Sequence, residues 1–270
     1  MKKIDNSEIQ KLEVLYKSNK LDELESKIKK LLKIENNNII LLNILGVVYL
    51  KKNFFRESEE IFIKILKKNS KDQNALKNLG ETYRRLKKFS NAIKYYELYL
   101  KINPSDSEVI NNLALSYLKN KKYEEAINHY RNLIKINPND QEYLTNLATT
   151  LIESLNFEEG MQLLEKLLDK NISNRRALSS YLFNQNYNLK SDTNKINNYI
   201  TQFNQSLLKN KLNIVDFCFK KNPQKINVGF VSPDFRSHPV GYALTNVIKY
   251  LKSYNFNLFA YYNFTLNDDL

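Results

Sequence analysis

With a single cysteine, Cys218, the chain cannot build an intramolecular disulfide framework. Glycine is sparse and there is no Gly-rich phosphate loop, no zinc motif and no Ser-His-Asp arrangement. His129 sits in a stretch of helical pattern with no second histidine or cysteine at metal-ligand spacing. No apolar run reaches the roughly 18 residues of a membrane span, and Ile39 to Leu50 is interrupted by Asn43. The amino terminus, Met-Lys-Lys-Ile-Asp-Asn-Ser-Glu, lacks the apolar core of a secretory signal. These absences predict a soluble cytoplasmic protein with no metal, no cofactor and no membrane partner.

What the chain has in excess is positive charge, a formal net of +13. Its distribution decides what that means. Residues 1–174 hold 30 Lys and Arg against 24 Asp and Glu, and residues 175–270 hold 12 against 5. Basic pairs such as Lys51-Lys52, Lys67-Lys68, Lys87-Lys88 and Lys121-Lys122 are scattered near turns and helix ends. Cations there complement helix carboxyl termini, whereas a phosphate-tracking surface would gather them on one face. Nucleic acid is therefore a disfavoured partner.

Leu45-Gly46, Leu79-Gly80, Leu113-Ala114 and Leu147-Ala148 recur every 34 residues, the tetratricopeptide period. Other columns keep the same step: Tyr49, Tyr83, Tyr117, Leu151; Ser58, Ala92, Ala126, Gly160; and Phe62, Tyr96, Tyr130, Leu164. Pro104 and Pro138 stand just past the second helix of two repeats, where proline prevents its continuation. The pattern predicts helical hairpins over residues 39–72, 73–106, 107–140 and 141–174, with a degenerate copy over 5–38 in which Leu12 replaces the small residue. These columns are packing residues: small side chains let the two helices approach and aromatics fill the space between hairpins.

One polar column differs. Asn78, Asn112 and Asn146 also repeat at 34 and precede the Leu-Gly or Leu-Ala pair, while Ile44 breaks the series. In this repeat geometry the position faces the concave groove, and an amide offers both a donor and an acceptor to an extended peptide main chain. The three asparagines are the predicted peptide-binding residues.

The carboxyl-terminal third reads differently. Residues 175–224 are polar and helical, a linker, with Ile196, Ile200, Phe203 and Leu207 at helical spacing. Ile226, Val228 and Phe230 then alternate with Asn227 and Gly229 before Val231, a short strand, followed by the polar turn Ser232 to Pro239 and a helical pattern through Leu244, Val247, Ile248 and Leu251. A second strand follows, Leu258 to Tyr262. His238 in the turn could accept a hydroxyl proton or orient an acceptor; Ser237 or His238 could equally cap the helix, since Pro239 suits its first position.

Val228-Gly229-Phe230-Val231-Ser232, with Asp234, Phe235, His238, Pro239 and Gly241, resembles the start of the catalytic region of the O-GlcNAc transferase family, which includes the SPINDLY-type relatives and carries tetratricopeptide repeats upstream. The resemblance implies a mainly α chain, a tetratricopeptide superhelix followed by a partial α/β segment, Rossmann-like and equivalent to the beginning of a GT-B first lobe over residues 225–270. It implies metal-independent transfer of a sugar, UDP-GlcNAc being the favoured nucleotide-sugar donor and GDP-fucose the alternative, to Ser or Thr of a protein held in the concave groove. It also implies a catalytic role for His238 and likens Asn78, Asn112 and Asn146 to the family's asparagine ladder. The nucleotide-sugar lobe has no counterpart before Leu270, so sugar transfer is expected of a complete enzyme and not of this polypeptide alone. The competing expectation is a non-catalytic protein-interaction scaffold.

Overall fold

In a computed structural model of the chain, residues 6–188, 191–209, 226–231, 247, 251 and 256–261 are described. The chain divides into two compact units, residues 1–212 and 213–270. The first is a run of helical hairpins: α1 (Asn6–Lys17) with α2 (Leu21–Ile34), α3 (Ile39–Lys51) with α4 (Phe55–Lys68), α5 (Gln73–Arg85) with α6 (Phe89–Leu100), α7 (Ser107–Lys119) with α8 (Tyr123–Ile136), and α9 (Gln141–Glu153) with α10 (Phe157–Lys170). Two more helices, α11 (Arg175–Gln185) and α12 (Thr193–Lys209), follow.

The 34-residue step is written into the backbone as well as the core. Asn38, Asp72, Asp106, Asp140 and Asn174 precede α3, α5, α7, α9 and α11, and each side-chain oxygen accepts a helix N–H at 2.9 to 3.1 Å. Such caps satisfy amides that the helix leaves unpaired. Within each hairpin the turn is made by one residue in the left-handed region, Asn19, Asn53, Lys87, Lys121 and Leu155, with φ between 56° and 69°. Asparagine tolerates that conformation; leucine does not favour it.

In two of the hairpins a missing side chain admits a ring. A Cβ at Gly46 would lie 2.6 Å from the Phe62 ring, and one at Gly80 2.6 Å from the Tyr96 ring. At Gly160 it would meet the Ala148 carbonyl oxygen at 2.7 Å, an immovable backbone atom. Phe62, Tyr96, Tyr130 and Leu164 are fully or almost fully buried. Ser58, in the small-residue column, donates to the Gly46 carbonyl at 3.0 Å and lies 3.1 Å from the Thr82 hydroxyl, tying one hairpin to the next. Tyr83 stacks on Tyr95 and, one repeat later, Tyr117 stacks on His129, both at 5.5 Å between ring centroids. His129 thus replaces a tyrosine in a structural pair, and burial lowers its pKa against the opposing pull of Glu97 and Glu125.

The two ends depart from the pattern for readable reasons. Leu12, fully buried, occupies the small-residue position of α1, so α1 and α2 pack less intimately than the later hairpins. At the other end the segment read as a linker begins with α11 and α12, which pack on α10 through Leu178, Tyr181 and Tyr199 and extend the array. Tyr199 meets Tyr181 edge-on and donates to Asp169 at 2.6 Å.

In the second unit, β1 (Ile226–Val231) and β2 (Phe256–Tyr261) pair in parallel, Ile226 opposite Phe256 through Val231 opposite Tyr261. Among the described residues the sheet is this one pair, which does not amount to a Rossmann-like lobe, and most of the connection between the strands lies outside the described residues. The chain is therefore mainly α, a superhelix of repeats.

The aromatic column yields a paired test. The Tyr96 hydroxyl donates to Glu81 at 3.1 Å, whereas the equivalent Tyr130 hydroxyl is buried without a hydrogen-bond partner, because Leu115 stands one repeat on from Glu81. Tyr96→Phe is expected to cost about 1–2 kcal/mol. Tyr130→Phe removes only an unsatisfied group and is expected to be neutral or stabilising by up to about 1 kcal/mol. Urea unfolding of the two variants checks the contrast.

Candidate functional site

The first helix of each hairpin contacts the first helix of the next, α3 with α5, α5 with α7, α7 with α9 and α9 with α11. These helices form the inner face of the superhelix, and their capped amino termini share one edge of it. The face is held by a relay of side chains spaced about one repeat apart. Asn43 donates to Asp72 at 3.3 Å. Lys77 donates to Glu108 at 2.7 Å and to Asp106 at 3.3 Å. Asn111 donates to Glu142 at 3.2 Å. Burial alone would raise the Asp106 carboxyl, but hydrogen bonds from Tyr99, the Val109 N–H and Lys77 hold its pKa below the ordinary value.

The three predicted asparagines lie on this face in two different states. Asn146 is buried and used internally: its amide nitrogen donates to Asn111 at 3.1 Å and its oxygen accepts from Arg176 at 2.8 Å. Asn78 and Asn112 are half-buried, and among the described residues neither side-chain amide has a hydrogen-bond partner. Only these two carry the donor and acceptor that a ligand main chain would need. His238 lies outside the described residues.

Where Ile44 breaks the asparagine series, the structure has a cavity of about 410 Å³ between α1, α3 and α5. Ile9, Tyr16, Ile40, Ile44 and Val47 make its apolar wall, and Asn74 and Asn78 close one side. Sequence reading missed it, although a signal was present: α3, Ile-Ile-Leu-Leu-Asn-Ile-Leu-Gly-Val-Val-Tyr-Leu-Lys, is apolar all round. A helix of that kind needs cover on every side, yet Ile40 is 53 % exposed. A second hollow at the far end of the array, near Gln141, Asn174 and Arg176, is polar and its walls are hydrogen-bonded to one another.

Lys52, just past the end of α3, donates to Asp22 and Glu25 of the outer helix α2, both at 2.7 Å. Among the described residues no cluster of His, Cys, Asp and Glu is arranged to hold a metal ion. No described helix is long and apolar enough to cross a membrane.

Two family models match the chain: the tetratricopeptide repeat protein 21 C-terminal ARM domain over residues 19–145, and a tetratricopeptide repeat over residues 117–178. The helical array is a tetratricopeptide fold. Solved structures agree. YrrB, described as a TPR protein with an unusual peptide-binding site, is 20% identical with a TM-score of 0.58, over 64% of this chain and 89% of that one. MamA from Desulfovibrio magneticus RS-1 is 16% identical with a TM-score of 0.58, over 62% and 95%. A tetratricopeptide repeat protein from Parabacteroides merdae is 18% identical with a TM-score of 0.60, over 65% and 70%. No curated protein matches the chain.

These findings overturn the resemblance to O-GlcNAc transferases. What matches is tetratricopeptide protein, YrrB and MamA among the structures, and neither family model extends past residue 178. The physical reason is that the repeat columns encode helix packing, which unrelated functions share. The ladder that strengthened the likeness is also discontinuous: Ile44 breaks it and Asn146 is consumed within the array.

The distinction between free and engaged amides is measurable as stability. Asn146→Ala is expected to cost about 1–2 kcal/mol by removing the bonds to Asn111 and Arg176. Asn78→Ala and Asn112→Ala are each expected to stay within about 0.5 kcal/mol of the parent in thermal unfolding.

Proposed function

We propose that the chain is a protein-interaction scaffold that binds an extended segment of a partner protein along the inner face of its tetratricopeptide array. The observation that carries this reading is the juxtaposition of two unpartnered amides, Asn78 and Asn112, with an uncovered apolar cavity on one continuous face. Asn111 bridges Glu142 and Asn146, and Asn43 and Lys77 bond the capping Asp72 and Asp106 of the next repeat, so that face is held in place by its own side chains. A rigid groove lowers the entropy cost of binding, and amides grip a peptide main chain without reading its sequence. YrrB's described peptide-binding site is a property of that protein; it agrees in kind with this reading. Sugar transfer and a nucleotide-sugar donor rested on the resemblance alone, and none of the matches supports them.

Selection of a displayed random-peptide library against the full chain is expected to yield binders whose affinity falls roughly tenfold in the Asn78→Ala/Asn112→Ala double variant, about two lost hydrogen bonds. Recovery of no binder, or of binders that all compete for a site on the outer helices, would overturn the proposal.

A further inference from the structure

The inner face changes character along its length. From α5 onward its polar side chains are mostly tied to one another; between α1, α3 and α5 it is apolar and open. A volume of about 410 Å³ lies within the range of side-chain and small-ligand pockets. It is too large to be a packing defect.

One end of this pocket is cationic. Lys17 closes α1 and lines the cavity, and Lys51 closes α3 with its Nζ 3.8 Å from the centre of the Tyr16 ring, which also lines it. No described carboxylate lies within ion-pair distance of either ammonium. Glu13, one turn before Lys17 on the same face of α1, also lines the cavity, but it makes no ion pair with Lys17, and with Lys51 beside Tyr16 the cations there outnumber it. Both lysines complement helix carboxyl termini, but each retains donors directed to solvent.

We infer that this pocket reads sequence: it takes one aliphatic or aromatic side chain of the bound segment, and an Asp or Glu two residues away pairs with Lys17 and Lys51. The spacing follows from the geometry of an extended chain, in which residues i and i+2 point to the same side about 7 Å apart. The apolar wall offers burial to the first, and ammonium groups that have no carboxylate partner among the described residues offer a counter-charge to the second. The inference rests on the scaffold reading and adds selectivity to it, since the amides of Asn78 and Asn112 recognise main chain alone.

The test uses the full chain, random-peptide selection and fluorescence anisotropy of labelled binders. The expected result is a hydrophobic-x-acidic consensus, a roughly thirtyfold loss of affinity in Ile44→Asp and about a tenfold loss in Lys17→Glu/Lys51→Glu that shrinks in high salt. Ile40→Asp, at a position already half open to solvent, serves if Ile44→Asp fails to fold. Binders that lose affinity in Asn78→Ala/Asn112→Ala but not in the pocket variants, or that share no hydrophobic-x-acidic pattern, would overturn the inference and leave the scaffold reading standing. Selection of no peptide would overturn both.

Discussion

The contact on which this protein depends is the seating of a side chain against a residue that has almost none. Gly46 receives Phe62 and Gly80 receives Tyr96 at distances that leave no room for a methyl group. That interlock fixes how closely the two helices of a hairpin approach, and the hairpin fixes where the next one docks. Once the second helices are drawn to the outside, the first helices must line up along the inside. The groove is a consequence of close packing, not a separate invention of the sequence.

A repeating contact also makes deviations informative. Leu12 in the small-residue position loosens the first hairpin, and the apolar pocket lies beside that same helix. Tyr130 keeps a hydroxyl that Tyr96 uses and that it cannot, because Glu81 has become Leu115. His129 preserves the shape of a stacked pair while introducing a group whose burial disfavours its charge. Unfolding exposes that imidazole, so the unfolded state binds the extra proton first. The stability due to His129 is therefore complete above its ordinary pKa and lost as pH falls below it.

The packing of the array was legible in the sequence because its determinants recur in fixed columns. The Leu-Gly and Leu-Ala pairs, the aromatic knobs and the period of 34 all describe real neighbours. The capping series from Asn38 to Asn174 keeps the same step but hides among many asparagines and aspartates. The extension by α11 and α12 was hidden because Tyr181-Leu182 replaces the expected Leu-Gly pair and a longer connection breaks the spacing. The site was legible only in part. A sequence column shows that Asn78, Asn112 and Asn146 face one way; it does not show that Arg176 and Asn111 occupy the third. Ile44 read as a gap in a ladder, and in three dimensions it is the wall of a pocket. The likeness to sugar transferases came from packing columns joined to a short motif around His238, and packing columns carry no chemistry.

A partner segment that binds as proposed lies on the inner face of α1, α3 and α5. Methyl NMR with isotope-labelled isoleucine, titrated with a selected peptide, tests that placement most directly. A segment seated there is expected to shift the Ile9, Ile40 and Ile44 methyls together while Ile61, Ile63 and Ile65 on α4 stay in place. Shifts confined to the α4 isoleucines would place the partner on the outer surface and contradict the proposal.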